Sequence, residues 1–314
     1  MADAKSFAVV TGGSNGIGLE LARQFLANGF DVLIAGEDDD HTDDARQTLA
    51  ALGQGEVTAW RGDLGQQENV DALYQAIRAT GQPVDALCVN AGFGLGGAFV
   101  DTDLATELQM IDVNVRGAVQ LTKLVLKDMV ARDAGRILFT SSIAATMPDP
   151  FEAVYGGTKV FLRWFGEALR EELKDTGLTV TVLMPSMTET NFFKRADMMN
   201  TKAGTTKKDS PETVAKAAIS ALMAGKDKVV PTLKNKVLAG IADTLSDPLA
   251  AKAHRGLSEP GSANKSSSSK APAAIGLAAA GVGIALLAGW RNRQGPGETR
   301  PTENREGDLQ RSER

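Results

Sequence analysis

Between residue 6 and about residue 230, short apolar runs alternate with longer stretches whose apolar residues recur at helical spacing. The runs at 7–11, 31–35, 57–60, 86–90, 136–141, 179–184 and 228–230 are rich in Val, Ile and Leu without strict alternation, as in strands covered on both faces. Helices are predicted between them, including 17–28, 67–80, 103–131, 152–175 and 211–224. Gly29 suits the position just past the first helix, and Ser210-Pro211-Glu212 reads as a cap followed by proline in the first turn. Strand alternating with helix predicts an α/β fold, a doubly wound parallel sheet of Rossmann type. No linker interrupts the pattern, so residues 1–255 are expected to form a single domain.

The pattern then changes. Residues 256–270 are serine-rich and read as a flexible linker. Residues 271–290 carry no charge, and as a helix they are long enough to cross about 30 Å of hydrocarbon. Eight alanines, four glycines and Pro272 weaken that reading, which leaves a candidate membrane-anchor helix set against a water-exposed appendage. Residues 291–314 are polar and mixed in charge, and are expected to be a disordered tail.

A formal net charge of −5 and the lack of a basic run with interleaved aromatics argue against a nucleic-acid partner. Cys88 is the only cysteine, so no internal disulfide or cysteine-based zinc site can form. His41 and His254 share no ligand spacing, so neither a His-based metal site nor histidine catalysis is expected. The N-terminus has neither a basic start nor an apolar stretch, and a cytoplasmic catalytic domain is expected.

Candidate chemistry begins at Thr11-Gly12-Gly13-Ser14-Asn15-Gly16-Ile17-Gly18, which follows the first strand and opens the first helix. Glycines let the backbone turn tightly and approach a pyrophosphate, whose charge the free N–H groups of a helix N-terminus bind. Glu37 follows the second strand, about 20 residues after Gly18, where a carboxylate binding the adenosine ribose is expected. It equally begins an acidic run through Asp40 that solvent alone would explain. Ser142 stands 13 residues before Tyr155, and Tyr155 and Lys159 are one helical turn apart on one face. A phenol with a pKa of about 10 is a poor base at neutral pH, but a nearby ammonium favours its ionised form. Ser141 is a neighbouring candidate for the serine.

These residues together resemble the short-chain dehydrogenase/reductase family of simple reductases, over residues 6 to about 230. The loop has that family's Thr-Gly-x-x-x-Gly-x-Gly spacing, and Tyr155-x-x-x-Lys159 with Ser142 has the spacing of its catalytic set. Asp63-Leu64 resembles the aspartate beside the adenine ring, Asn90-Ala91-Gly92 the Asn-Ala-Gly motif, and Asn114 the asparagine that supports the lysine. Pro185 to Thr190 resembles the segment at the nicotinamide, through Pro185, Thr188 and Thr190, although Ser186 stands where glycine is usual.

The resemblance implies an NAD(P)-dependent oxidoreductase acting on a carbonyl or secondary alcohol. Tyr155 would be the general acid/base, Ser142 would hold the reacting oxygen, and Lys159 would also bind the nicotinamide ribose. It implies a homo-oligomer through the 152–175 helix and its neighbour. Glu37, with no basic residue in the loop, favours NAD(H) over NADP(H). Phe93, Phe99, Met147, Phe151, Met187, Phe192, Phe193, Met198 and Met199 either line a hydrophobic substrate site or merely pack its lid. The alternatives are a tethered nucleotide-binding scaffold or redox sensor without turnover, and an epimerase or dehydratase on the same sheet.

Overall fold

The computed structural model describes residues 5–37, 39–232 and 246–264. Seven strands form one parallel sheet: β1 (Phe7–Thr11), β2 (Asp31–Gly36), β3 (Val57–Arg61), β4 (Val84–Val89), β5 (Gly135–Thr140), β6 (Leu178–Leu183) and β7 (Lys228–Val229). Their order is β3-β2-β1-β4-β5-β6-β7. Strand order reverses between β1 and β4, and the crevice at the carboxyl ends of these two strands is where such sheets bind ligands.

Side chains along each strand point alternately to two apolar layers. Val10 and Ile34 pack with Leu21 and Phe25 of α1 (Gly16–Ala27) and with Val214 and Leu222 of the 211–223 helix. Val9 and Leu33 pack on the other face, with Leu73 of the 67–79 helix, Leu121 and Val125 of the 118–131 helix, and Leu162. Both faces are covered, which is why the strands lack a polar period.

The remaining helices are α2 (Asp39–Ala50), α3 (Gln67–Ala79), α4 (Leu104–Ile111), α5 (Ala118–Ala131), α6 (Ala153–Glu172), the single turns α7 (Phe192–Arg195) and α8 (Lys202–Thr205), α9 (Pro211–Met223) and α10 (Asp247–Ser258). Three differ from expectation. The acidic run after Glu37 leads into α2, a helix that its polar sequence conceals. The helix expected over 103–131 is not continuous: α4 and α5 are joined by a π-helical turn, Asp112–Gly117. Residues 256–264, expected to open a linker, are structured: α10 runs through Ser258 and a short 3₁₀ turn, Ser262–Asn264, follows it. The compact unit extends to Lys265. Two of the serines that suggested a linker are instead buried and bonded. Ser258 donates to Glu152, and Ser262 accepts from the Lys202 N–H at 2.9 Å.

The candidate anchor at 271–290, the tail at 291–314 and the rest of the linker lie outside the described residues. Among the described residues, no helix is long and apolar enough to cross a membrane.

Candidate active site

The glycine loop joins β1 to α1 at the crevice. Gly12 and Gly16 take left-handed φ values of +65° and +55°, which glycine adopts without steric cost. A Cβ on Gly18 would lie 2.0 Å from the Gly12 carbonyl oxygen, so the first turn of α1 is pressed against the loop. Asn15 precedes α1 without its side chain capping the helix. The first-turn N–H groups are therefore left for an anion, and this structural feature fits a dinucleotide pyrophosphate. Ile17 packs into the core below the loop, while the side chain of Ser14 approaches Gly36 at the end of β2. An open cleft of about 360 Å³ beside the loop is lined by Gly16, Leu19, Thr190 and Pro211 among others.

A chain of hydrogen bonds crosses the strand ends. Thr11 Oγ1 donates to the Cys88 carbonyl at 3.2 Å and accepts from the Asn90 and Ala91 N–H groups at 2.9 and 3.0 Å. Asn90 Nδ2 donates to the Thr11 carbonyl at 3.1 Å, and Asn90 Oδ1 accepts from Thr140 Oγ1 at 3.0 Å. Lys159 Nζ donates to the Thr140 carbonyl at 3.0 Å. The glycine loop and the lysine are thus linked through β4 and β5.

At the far side of the crevice, Glu37 is exposed at the end of β2. Arg61, which pairs with Gly36 at the end of the neighbouring strand β3, is paired with Asp43. Asp63 Oδ1 accepts from the Gly65 N–H at 2.8 Å, which fixes the turn before α3. The Leu64 carbonyl sits where a Cβ on Gly117 would fall, 2.1 Å away.

Tyr155 and Lys159 stand one turn apart near the start of α6, with Nζ 5.7 Å from the phenol ring centre. Ser142 caps the 3₁₀ turn Ile143–Thr146, accepting from the Ala144 N–H at 3.1 Å. Burial first and the charge of Glu152 next push the Tyr155 pKa above its ordinary value, and the Ser142 hydroxyl beside it opposes them. Burial lowers Lys159 to about 8. Ser141, the neighbouring candidate, spends its hydroxyl on the Lys159 carbonyl at 2.7 Å and so props the helix backbone.

Asn114 is fully buried in the π-helical turn. It exchanges hydrogen bonds with Phe93, donating to its carbonyl at 2.9 Å and accepting from its N–H at 3.1 Å, and donates to Thr158 Oγ1 at 3.1 Å. A Cβ on Gly92 would come within 2.8 Å of Asn114 Oδ1 and 3.4 Å of Lys159 Nζ. The π turn therefore anchors the loop after β4 to α6 beside the lysine.

The segment after β6 closes the crevice. The Pro185 carbonyl accepts from the Ile143 N–H at 2.9 Å, and Thr190 packs against Gly16, where a Cβ would meet its methyl at 2.9 Å. Thr188 is buried and donates to the Ser186 carbonyl at 2.9 Å. Ser186 Oγ donates to Asp209 Oδ2 at 2.7 Å, an anchor that glycine could not provide. The Phe192 ring lies 5.1 Å from that of Tyr155. Phe193 and Met198 form a small buried cluster with Ala196 and Ala203, with Met187 and Phe192 packed on it, whereas Phe99 and Met199 are exposed.

One group beside Tyr155 has no counterpart in the sequence reading. Asp149 and Glu152, at the entry to α6, meet His254 and Ser258 of α10. No short-range motif announces this meeting, and His254 shares no ligand spacing with His41 that would single it out. Among the described residues, no three His, Cys, Asp or Glu side chains are arranged to hold a metal.

The short chain dehydrogenase model matches residues 6–201. An uncharacterized short-chain type dehydrogenase/reductase of Sinorhizobium fredii is 35% identical over 190 residues, covering 60% of this chain and 72% of that protein. A probable NADP-dependent dehydrogenase of Haemophilus influenzae is also 35% identical, over 57% of this chain and 70% of its own. Among solved structures, a Sphingobium yanoikuyae short-chain dehydrogenase in complex with NADPH superposes with a TM-score of 0.68 at 22% identity, over 77% of this chain and 96% of that one. A Burkholderia phymatum short chain dehydrogenase/reductase in complex with NAD gives 0.69 at 21% identity, over 75% and 92%. With the glycine loop and the Ser142, Tyr155 and Lys159 side chains gathered at one crevice, the chain belongs to the short-chain dehydrogenases and is an NAD(P)-dependent oxidoreductase.

Proposed function

We propose that Tyr155 exchanges a proton with the oxygen of a carbonyl or secondary-alcohol substrate, and that Ser142 holds that oxygen by a hydrogen bond. The observation that carries this is the Tyr155 phenol beside Ser142, with Lys159 Nζ 5.7 Å from its ring centre. When bound, the nicotinamide supplies or takes up the hydride. Lys159 would lower the cost of phenolate and bond the nicotinamide ribose, while Asn114 fixes the loop and helix around it. Thr11, Gly12, Ser14, Asn15, Gly16, Ile17 and Gly18 would hold the pyrophosphate. Asp63 and Leu64 would face the adenine, Asn90, Ala91 and Gly92 the ribose side, and Pro185, Thr188 and Thr190 the carboxamide. The tilted contact of the Phe192 ring with Tyr155 and the apolar cluster behind it support a hydrophobic substrate. A panel of aliphatic, aromatic and steroidal ketones, assayed separately with NADH and NADPH, tests this. Failure to reduce any of them with either cofactor would contradict it.

NAD(H) is the favoured cofactor in this reading, since an exposed Glu37 near a 2′-phosphate costs about 1–3 kcal/mol at an effective dielectric near 20. Arg61, held by Asp43, offers the phosphate less help than a free cation would. Fluorescence titration with both reduced cofactors checks this. Self-association is supported by exposed Leu104 and Leu108 on α4 and Phe161 and Trp164 on α6, apolar side chains that a second copy would cover. Sedimentation gives the oligomer size. Membrane attachment through 271–290 rests on the sequence alone. Comparing the full chain with one ending at Lys265 in cell fractionation tests it.

A further inference from the structure

α6 begins in an unusual place for charge. Its entry residue Glu152 is buried, and so is Asp149, three residues earlier. The segment between them bends sharply: Phe151 takes φ +68°, and its carbonyl accepts from the Gly97 N–H at 2.8 Å. Both carboxyls are met by the same distant helix. His254 Nδ1 of α10 lies 2.7 Å from Asp149 Oδ1, and Ser258 Oγ donates to Glu152 Oε2 at 3.1 Å. The contact is tight on the catalytic side as well, since a Cβ on Gly156 would come within 2.6 Å of Asp149 Cβ. Gly156 adjoins Tyr155, and its N–H donates to the Glu152 carbonyl at 2.8 Å, closing the first turn of α6, which carries Tyr155.

We propose that Asp149 and Glu152, clamped by His254 and Ser258 of the C-terminal helix, are positioning residues that set the ionisation of the Tyr155 phenol. The inference rests on the assignment of Tyr155 as the proton-transfer group, but the cluster is distinct from the groups that would touch cofactor or substrate. The physical basis is the negative charge these carboxyls carry when ionised, held close to a phenol in a site that water screens poorly. Such a charge disfavours phenolate and opposes the nearby Lys159 ammonium. Burial pushes Glu152 up to about 8, with Asp149 adding to the rise and Ser258 and His254 opposing it. His254 is itself raised: burial lowers it, but the adjoining Asp149 and the charge of Glu152 outweigh that. Below about pH 8 Glu152 is neutral and its brake on phenolate is released. Above it the brake is on.

The cations on the two helices that carry the cluster include Lys159 and Arg163 on α6 and Arg255 on α10. Arg163 donates to the Ala145 carbonyl, and Arg255 stacks on the Phe151 ring and pairs with Glu259. Lys159 and Arg163 stay in place in every variant below.

The chain has only two tyrosines, so the phenol can be read directly and without a substrate. In full-length protein carrying Tyr74→Phe, ultraviolet difference absorbance of tyrosinate reports Tyr155 alone, with circular dichroism monitoring the fold at each pH. Glu152→Gln should bring the onset of tyrosinate down by at least about half a pH unit relative to the parent. Asp149→Asn should act in the same direction and less, and Glu152→Asp should restore the parent onset. Equal onsets in the parent, Glu152→Gln and Asp149→Asn would overturn the proposal. If Glu152→Gln does not fold, the same comparison between the parent and Asp149→Asn decides. Because no turnover is measured, the outcome is independent of the ketone panel, whose failure would strike the proposed reaction instead.

Discussion

The hydroxyl of Ser186 donates to Asp209 across 2.7 Å, tying the segment after β6 to the residue just before the cap of α9. Backbone bonds reinforce the tie, with the Glu189 N–H donating to the Asp209 carbonyl and the Asp209 N–H to the Met187 carbonyl, both at 2.9 Å. The serine at this position does not loosen the turn. It pins the stretch that carries Thr188 and Thr190 against the glycine loop. Ser186→Ala should destabilise the protein by about 1–3 kcal/mol, the usual loss for a hydrogen bond to a charged acceptor, and weaken cofactor binding. Asp209→Asn keeps a side-chain acceptor and should lose less. Urea unfolding with cofactor titration on both variants checks the order. Equal or reversed losses would mean the tie does not hold the segment.

Replacing Tyr155 by Phe removes only the group that exchanges the proton. Turnover should drop at least about a hundredfold, while cofactor affinity changes little, because general acid–base groups are typically worth factors of that size. Lys159→Ala should damage both properties, since that side chain also holds the Thr140 carbonyl at the strand ends. Steady-state rates beside fluorescence titration separate the two effects. A Tyr155→Phe protein that keeps parental turnover would remove the phenol from the mechanism.

Two buried groups pull stability in opposite directions with pH. Glu152 is raised from 4.5 to about 8, so its contribution is full below pH 4.5 and is lost as pH climbs through about 8. Lys159 is lowered from 10.5 to about 8, so the unfolded chain holds more protons between those values and stability recovers as pH rises through that window. Asp149 and His254, both raised, add to the fall at lower pH. Cofactor-free protein should therefore show a local minimum in unfolding free energy near pH 8. Glu152→Gln should make the acid-side slope shallower, and Lys159→Met should flatten the alkaline side. Chemical denaturation at a series of pH values maps both slopes, and a maximum near pH 8 would contradict the assignment.

The strands and the local motifs were legible because their signals are local. The apolar runs fall within about two residues of β1 to β6, and Tyr155 and Lys159 share a face because they are four positions apart. What stayed hidden depends on partners distant in the chain. The π turn at Asn114 breaks a helix that periodicity reads as continuous, and the bonds to Phe93 and Thr158 span 21 and 44 positions. The bond from Ser258 to Glu152 spans 106. Serine-rich composition reads as a linker whether its hydroxyls face water or a buried carboxyl. The helix α2 was missed for the converse reason: a surface helix with so few apolar residues gives little period to detect.

The paired glycines of α6 separate close packing at the site from helix propensity. A Cβ on Gly157 meets nothing within 4 Å, whereas one on Gly156 meets Asp149 at 2.6 Å. Alanine in a helix is favoured over glycine by about 0.8–1 kcal/mol, so Gly157→Ala should stabilise the protein by up to that amount and leave turnover unchanged. Gly156→Ala gains the same propensity, but the new methyl must move Asp149 from its place beside His254 or shift the first turn of α6, which carries Tyr155. Rigid overpacking of this kind costs about 1–3 kcal/mol, so the net effect should be destabilising by up to about 2 kcal/mol. Turnover should fall with it, because the phenol rides on the turn that is displaced. Thermal unfolding of the two variants side by side, with rates at a saturating substrate, makes the comparison. If Gly156→Ala were as stable and as active as Gly157→Ala, the acid cluster would not be packed against the catalytic turn as described.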